Sequence, residues 1–598
     1  MLDRRAVLAA VPLTAAAAVL GVPAAAGAAV RPAAAPRPAR VPLTGRFDQP
    51  QQDFAPQHTL LRSAPGAELG LDQGALQAGI DIVNGYTVPD PATGHPLYSG
   101  QVTLLAHDGV VVTHEAAGWA VRYADLAGDL LPDSQCIEMR PDTIFDLASL
   151  SKLFTSICAM QQIEAGTLDL SATVASYLPS YASNGKGDIT IQMLLTHTSG
   201  LPADPTPALW TYPDMASKVA AILGTVPQYA AGSTYLYSDL NMLSLQQVLQ
   251  AITGKTLDTL VEEGITAPLR MRDTMYNPPA SLKPRIAAEE YEQGPGEPQR
   301  GLVWGQVHDE NAWAMDGVAG HAGVFSTVAD MAVLSQAVLN GGVYAGHRIL
   351  SEESVTEMMT NYNQKFPGDS HGLGFELDQR WYSGRLDSPR TSGHTGFTGT
   401  TIVIDPLSRS IALQFSNRCH PTRNWGSTNP ARRAVADGLA NAMAVRVPGG
   451  GRSWYAGNPD ATTATLDATL TARGSALQVA WTGFVDTEPG DDLLTLLAST
   501  DGGTTWTTVA VTATGDGAPA GQVTALSGGA RAWWRVTAAV PAATGPLVLR
   551  WQYVTDAEYT GRGVNVAHVT VRDAGGLLLD GDRAPGAFTA TGFTLTDR

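Results

Sequence analysis

Apolar residues recur along this chain with two distinct periods, and the two periods divide it into regions. Leu150, Leu153, Phe154, Ile157, Met160 and Ile163 fall three or four apart, which predicts a helix ending at Gly166. A second helical run spans Asp239 to Ile252 and closes at Thr253-Gly254, and a third covers Val328–Leu339 behind a Ser326-Thr327 cap. Gln101–Leu105 and Val110–Ala120, separated by His107-Asp-Gly109, predict a hairpin with Asp-Gly in its turn. Thr400–Ile404 and Ile411–Phe415 read as sheet strands around a turn at Asp405-Pro406. Clustered helices and runs of strands, without regular βαβ alternation, predict an α+β domain.

The pattern changes at Val447-Pro-Gly-Gly-Gly451. Beyond it, short β-type runs rich in Thr, Val, Ala and Trp return every ten residues or so, which predicts an all-β sandwich. Within it, Ser499-Thr-Asp501-Gly-Gly503-Thr-Thr-Trp506 has the S-x-D-x-G-x-T-W form of an Asp-box hairpin, a turn stapled by an aspartate with a buried tryptophan. Trp533 and Trp534 read as core.

At 598 residues the chain is long enough for two or three folded units. The expected division is an export signal over 1–29, an Ala/Pro-rich tether over 30–65, a mixed domain over 66–447, a Gly-rich linker over 448–458 and a sandwich over 459–598. The signal rests on Arg4-Arg5, a short alanine-rich apolar stretch and the Ala26-Gly27-Ala28 cleavage pattern. The paired arginines point to the twin-arginine route, and so to a secreted or cell-wall-associated protein. A membrane anchor is the alternative; Pro12 and the shortness of the apolar run count against it. A formal net charge of −18 argues against a nucleic-acid partner. The three cysteines, Cys136, Cys158 and Cys419, have no zinc spacing; Cys158 reads as core, and one disulfide among the three is left open.

Chemistry enters at Phe145-Asp-Leu-Ala-Ser-Leu-Ser-Lys-Leu-Phe-Thr155. This is the start of an apolar helix, yet it carries Ser149 and Lys152, and burying an unpaired ammonium costs several kcal/mol, about 2–5 in practice. A spacing of three puts both side chains on one helix face, where an amine can serve a serine hydroxyl that is otherwise a weak nucleophile. If Ser149 opens the helix, its amide also points at the reacting centre. The same S-x-x-K spacing at Ser183-Asn-Gly-Lys186 lies in a polar loop and reads as a coincidence. Tyr235-Leu-Tyr237-Ser238-Asp239 brings a phenol and a carboxylate to a helix start, where Ser238 or Asp239 could equally be a cap. Thr391-Ser-Gly393-His394-Thr395-Gly396-Phe397-Thr-Gly399 precedes a strand, and its glycines would let a substrate backbone approach. The chain has no HExxH, no phosphate-binding Gly-Lys-Ser/Thr and no G-x-S-x-G.

Taken together, SLSK, YSD and HTG in this order resemble the serine β-lactamase and penicillin-binding-protein family, nearest its class C-like branch with the related esterases and DD-peptidases. FDLASLSKLFT, MLLTHTSGLP (193–202), YLYSDLNM (235–242), VHDENAWAMDGVAGHAGVFST (307–327) and SGHTGFTGT (392–400) carry the resemblance over about 95–445. It implies a β-lactamase/transpeptidase-like fold, no metal and no cofactor. It implies Ser149 as nucleophile, Lys152 and Tyr237 as proton-transfer groups, Asp239 and His394 beside them, and the amides of Ser149 and Phe397 as an oxyanion hole. Thr395 and Gly396 would contact substrate. Read from the residues, His321 (a candidate substrate contact) and the His308-Asp309-Glu310 cluster are either cleft residues or parts of a loop locked by hydrogen bonds. Two departures stand out: Asp239 where the common pattern has Asn, and His394 where β-lactamases commonly have Lys. Because a histidine is only partly charged near pH 7, His394 is expected to set part of the pH dependence of acylation. The implied substrate is a D-alanyl peptide, an ester or an amide. A true β-lactamase, or a penicillin-binding sensor that does not turn over, is the alternative. Trp551–Val571 resembles a jelly-roll strand pair of accessory domains in secreted peptidases, which implies adhesion to a surface or polymer.

Overall fold

The structure, a computed structural model, describes residues 45–294 and 296–597. The expected signal over 1–29 and the tether up to residue 44 lie outside the described residues. The described chain belongs to one compact unit, in which a mixed α+β part is followed by two packed β-sheets.

The first part is built on an antiparallel sheet in the order Val110–Val121, Gly100–His107, Ser410–Ser416, Thr401–Asp405, Ser392–Thr395 and Glu376–Leu377, with short Arg62–Ser63 and Ile137–Glu138 pairing at the far edge. The predicted hairpin is present, and Asp108 and Gly109 both take positive φ (47° and 77°), as a two-residue turn between twisted strands requires. Strand Gly100–His107 is buried along its whole length because both sheet faces are covered. Leu104 and Ile404 face one core with Leu153 and Phe154 of helix Ser151–Glu164, whereas Leu105 and Val403 face another with Ile80, Val435 and Leu439 of helices Gln73–Gly85 and Asn429–Ala442.

The other predicted helices form at Asp239–Thr253, ended by Gly254 at φ 69°, and at Val328–Leu339, where the Thr327 hydroxyl accepts from Asp330 N at 3.2 Å. Among the described residues, no helix is long and apolar enough to cross a membrane.

Two sheets of eight and five strands form the C-terminal part around Trp481, Trp534 and Trp551. Four expectations need correction. Over 46–65 the chain is not a free tether: Phe47 is buried in the core shared with Leu71 and Phe484, and Trp533 Nε1 donates to Asp48 at 2.8 Å. The linker placed at 448–458 contains strand Ser453–Tyr455, already part of the larger sandwich sheet. Thr544–Val554 and Gly563–Asp573 are not a pair; they lie in opposite sheets, joined by a crossing segment. In the Asp-box turn, Asp501 does accept from the amides of Thr504 and Thr505, but Trp506 is only half-buried and packs under the Arg550 guanidinium at 4.0 Å. The three cysteines are all free thiols.

The sandwich is fastened to the back of the first sheet by buried Arg531, whose Nη1 lies 2.6 Å from Asp405 Oδ2 and whose Nη2 donates to Leu386 O at 2.5 Å. Its guanidinium also covers the Phe47 ring at 4.2 Å.

Candidate active site

The sheet, the helix Ser151–Glu164 and the start of helix Asp239–Thr253 converge on one cleft of about 560 Å³, lined among others by Ser149, Tyr237, His394, Thr395, Gly396 and Phe397. Ser149 lies in a single 3-10 turn, Ala148–Leu150, that feeds the α-helix, so it sits just ahead of the helix rather than at its first residue. Ala148 holds φ at 47°, a costly conformation for a residue with a Cβ, and Asp146 fixes it by accepting from Ala148 N at 2.8 Å. Thr398 and Thr400 hydroxyls donate to the carbonyls of Asp146 and Leu147, tying this turn to the one between strands Ser392–Thr395 and Thr401–Asp405. Gly396 is required at that contact: a Cβ there would lie 2.0 Å from Thr400 Oγ1 and 2.4 Å from Leu147 O.

Lys152 is fully buried, and its Nζ donates to Ser149 Oγ at 2.8 Å and to His321 O at 3.2 Å. The same nitrogen is 2.8 Å from Asp239 Oδ1 and 4.8 Å from the centre of the Tyr237 ring. Burial alone would lower the lysine's pKa, but the Asp239 carboxylate outweighs it and holds the ammonium above the ordinary lysine range. Burial also pushes the Tyr237 phenol up to about 12 against the pull of Lys152. The resting set is therefore an ammonium, a carboxylate and a neutral phenol. Asp239 is no helix cap, and Ser238 Oγ is turned away to donate to Pro202 O at 2.5 Å.

His394 departs from expectation. Burial, with Lys152 nearby, lowers its pKa to about 3, so the ring is neutral across the physiological range and cannot set a pH dependence near neutrality. Its Nδ1–H donates to Thr395 O at 2.9 Å, which leaves Nε2 as an acceptor. His321 is likewise corrected. Its side chain is buried rather than open to the cleft and pairs through Nε2 with Asp309 Oδ1 at 2.9 Å, while its carbonyl accepts from Lys152. Burial opposes charge on that ring, and Asp309 overcomes it, raising the pKa. Asp309 also caps helix Glu310–Ala314, while His308 bonds Glu290 and stacks on Phe397 at 5.8 Å, so this cluster is scaffold for the cleft wall. Asp239, Asp309 and His321 could group around a cation; the Lys152 ammonium already stands against Asp239 in that role.

The coincidental Ser183/Lys186 pair is structural, with the ammonium donating to the carbonyls of Ser183 and Thr225. Several residues in or behind the cleft carry no reading from the sequence. Buried His197 packs 4.5 Å from Tyr237 and accepts from Ser238 N and Asn241 Nδ2, buttressing the phenol from behind; the THTSG motif is its signal. Tyr235, Glu376, Trp381, Arg418 and Arg432 also line the cleft, and Glu376, pushed up by burial to about 7, had no motif to mark it.

A half-buried serine hydroxyl held by a buried amine, with a phenol and free backbone amides in the same cleft, is the constellation of a hydrolase that works through its serine. The Beta-lactamase family model matches residues 97–437, and the chain belongs to that family of serine hydrolases. Its fold is accordingly of the β-lactamase/transpeptidase type. Among its relatives is an Escherichia coli (strain K12) protein named "Putative D-alanyl-D-alanine carboxypeptidase", 34% identical over 348 residues that cover 53% of this chain and 78% of the relative. A Salmonella typhimurium (strain LT2) protein of the same name is 32% identical over 413 residues, covering 63% and 90%. A solved structure of a penicillin-binding protein homolog from Caulobacter crescentus aligns over 62% of this chain and 98% of its own, with 20% identity and a TM-score of 0.47.

Proposed function

We propose that the protein is an exported serine hydrolase that turns over through an acyl-enzyme on Ser149, with D-alanyl peptides, or small esters and amides, as acyl donors. One observation carries this reading: Lys152 Nζ stands 2.8 Å from both Ser149 Oγ and Asp239 Oδ1, beneath Tyr237. Ser149 attacks the carbonyl carbon, the Lys152–Tyr237 pair takes the hydroxyl proton, and Tyr237 returns a proton to the leaving group. Since the resting pair is fully protonated, it must first lose one proton to act as a base. The amides of Ser149 and Phe397 receive the developing oxyanion, a role worth roughly 3–4 kcal/mol per donor in such sites.

The relatives' shared name supports a peptide substrate. A neutral His394 offers no formal charge to a substrate carboxylate, which favours uncharged esters and amides over β-lactams as substrates that are turned over. The Arg4-Arg5 signal pattern supports export, and the sandwich would hold the cleft near a surface polymer.

The test compares wild type with Ser149→Ala on a D-alanyl-D-alanine peptide, a p-nitrophenyl ester and a fluorescent penicillin. Sustained peptide or ester turnover that is lost in Ser149→Ala supports the reading. Penicillin hydrolysed faster than either would make the protein a β-lactamase. Covalent labelling without turnover of any substrate would make it a penicillin-binding sensor.

A further inference from the structure

Arg432 lies in the first turn of helix Asn429–Ala442 and has a side chain that is almost wholly buried in the cleft wall. Among the described residues it forms no ion pair with a carboxylate. A buried guanidinium with no carboxylate in contact is costly; here burial, with Arg418 nearby, outweighs the attraction of the more distant Glu376 and pulls its pKa down to about 10. Its donors go instead to neutral oxygens: Nε to Thr428 Oγ1 at 3.1 Å, Nη1 to Thr400 O at 3.4 Å and Nη2 to Gly396 O at 2.9 Å.

The last of these contacts has chemical meaning. The Gly396 carbonyl and the Phe397 N–H are the two ends of one peptide group. Drawing electron density onto the oxygen makes the nitrogen more positive and its hydrogen a stronger donor, the same polarisation that strengthens chains of hydrogen bonds. This peptide is held as well, since its Gly396 carbonyl also accepts from Gly399 N at 3.0 Å and no side chain fits at Gly396. Among the described residues the Phe397 N–H meets no acceptor of its own, and it opens on the cleft that Ser149 shares.

We propose that Arg432 is a positioning residue for the oxyanion hole, acting through the Gly396–Phe397 peptide rather than on the substrate. The inference rests on the acyl-enzyme reading above. As Ser149 Oγ bonds to the acyl carbon, the carbonyl π pair moves to oxygen and the hydroxyl proton to the Lys152–Tyr237 pair. Arg432 strengthens the amide that receives that oxygen.

The test is isotope-edited infrared spectroscopy of the acyl carbonyl on Ser149, formed from a slow ester, together with steady-state kinetics on a neutral p-nitrophenyl ester. Removing a whole oxyanion donor costs about 10²–10³ in kcat, so weakening one should cost about 10-fold or more. In Arg432→Met the carbonyl stretch is expected to rise in wavenumber and kcat to fall by about that factor, with KM changed less than about threefold; Arg432→Lys should recover part of both. If Arg432→Met does not fold, Arg432→Lys, which keeps the charge but loses the fork that holds Gly396 O, should shift the stretch in the same direction by a smaller amount. An unmoved stretch, or a loss confined to KM for carboxylate-bearing substrates, would assign Arg432 to substrate binding and overturn the proposal. Absence of any acyl carbonyl band in wild type would instead overturn the acyl-enzyme reading, and this inference with it.

Discussion

Replacing Asp239 with asparagine isolates the charge that keeps Lys152 protonated. The pair is short, 2.8 Å, with Lys152 fully buried and Asp239 16% exposed. Removing one partner of a buried pair typically costs about 3–5 kcal/mol, and about 1.36 kcal/mol corresponds to one pH unit. Asparagine keeps an oxygen for the ammonium and water reaches the Asp239 side, so only part of that sum should appear, about 1–2 pH units. The sign is fixed by electrostatics. An anion beside an acid favours the protonated form, and Asp239 raises both Lys152 and Tyr237. In Asp239→Asn the pair loses its proton more easily, so the acid limb of kcat/KM moves to lower pH. The assay is log kcat/KM against pH from 5 to 10 on a p-nitrophenyl ester; a coupled Lys152–Tyr237 pair that titrates near 12 gives a rising line over that range, so the shift reads as about 10–100-fold more rate at a given pH. His394→Gln is the control. With His394 neutral down to about pH 3, this substitution should leave the limb in place, whatever it does to the rate. A limb that stays put in Asp239→Asn, or moves to higher pH, would refute the reasoning.

Three further outcomes follow from named contacts. Gly396→Ala should lower kcat/KM by about 100-fold or more at an unchanged far-UV circular dichroism spectrum, because its Cβ would displace either Thr400 or the Leu147 carbonyl behind the nucleophile turn. Ser183→Ala should leave ester hydrolysis within about twofold of wild type, since Lys186 uses the Ser183 carbonyl and not its hydroxyl. Arg531→Met should destabilise the protein by about 3–5 kcal/mol in a denaturant titration, because it strands the buried Asp405 carboxylate; adding Asp405→Asn should restore part of the loss.

Much of the fold was legible in the chain because local periodicity reports which face of an element is buried. The helices at 151–164, 239–253 and 328–339 and the 100–121 hairpin form within a few residues of their predicted bounds. The sandwich followed from short alternating strands. Ser149, Lys152, Tyr237 and Asp239 were legible too, from motifs whose spacing survives folding.

What the pattern did not contain was the environment of each group. His394 and His321 have the same composition as any histidine, yet burial beside Lys152 makes one neutral, and the Asp309 carboxylate raises the pKa of the other. Ser238 and Asp239 were equal candidates for a cap until Lys152, 87 positions away in sequence, took the carboxylate. Arg432 and Glu376 reach the cleft from a helix and an edge strand that carry no motif. The anchoring of 46–48 and of Arg531 between the two parts was equally invisible. The sequence alone determined most of the elements, which are set by neighbours three or four residues away, and its resemblance to a known family picked out the candidate reacting groups. Charge state, hydrogen-bond partner and domain contact were decided only in three dimensions, because desolvation and Coulomb energy depend on distances between residues remote in the chain.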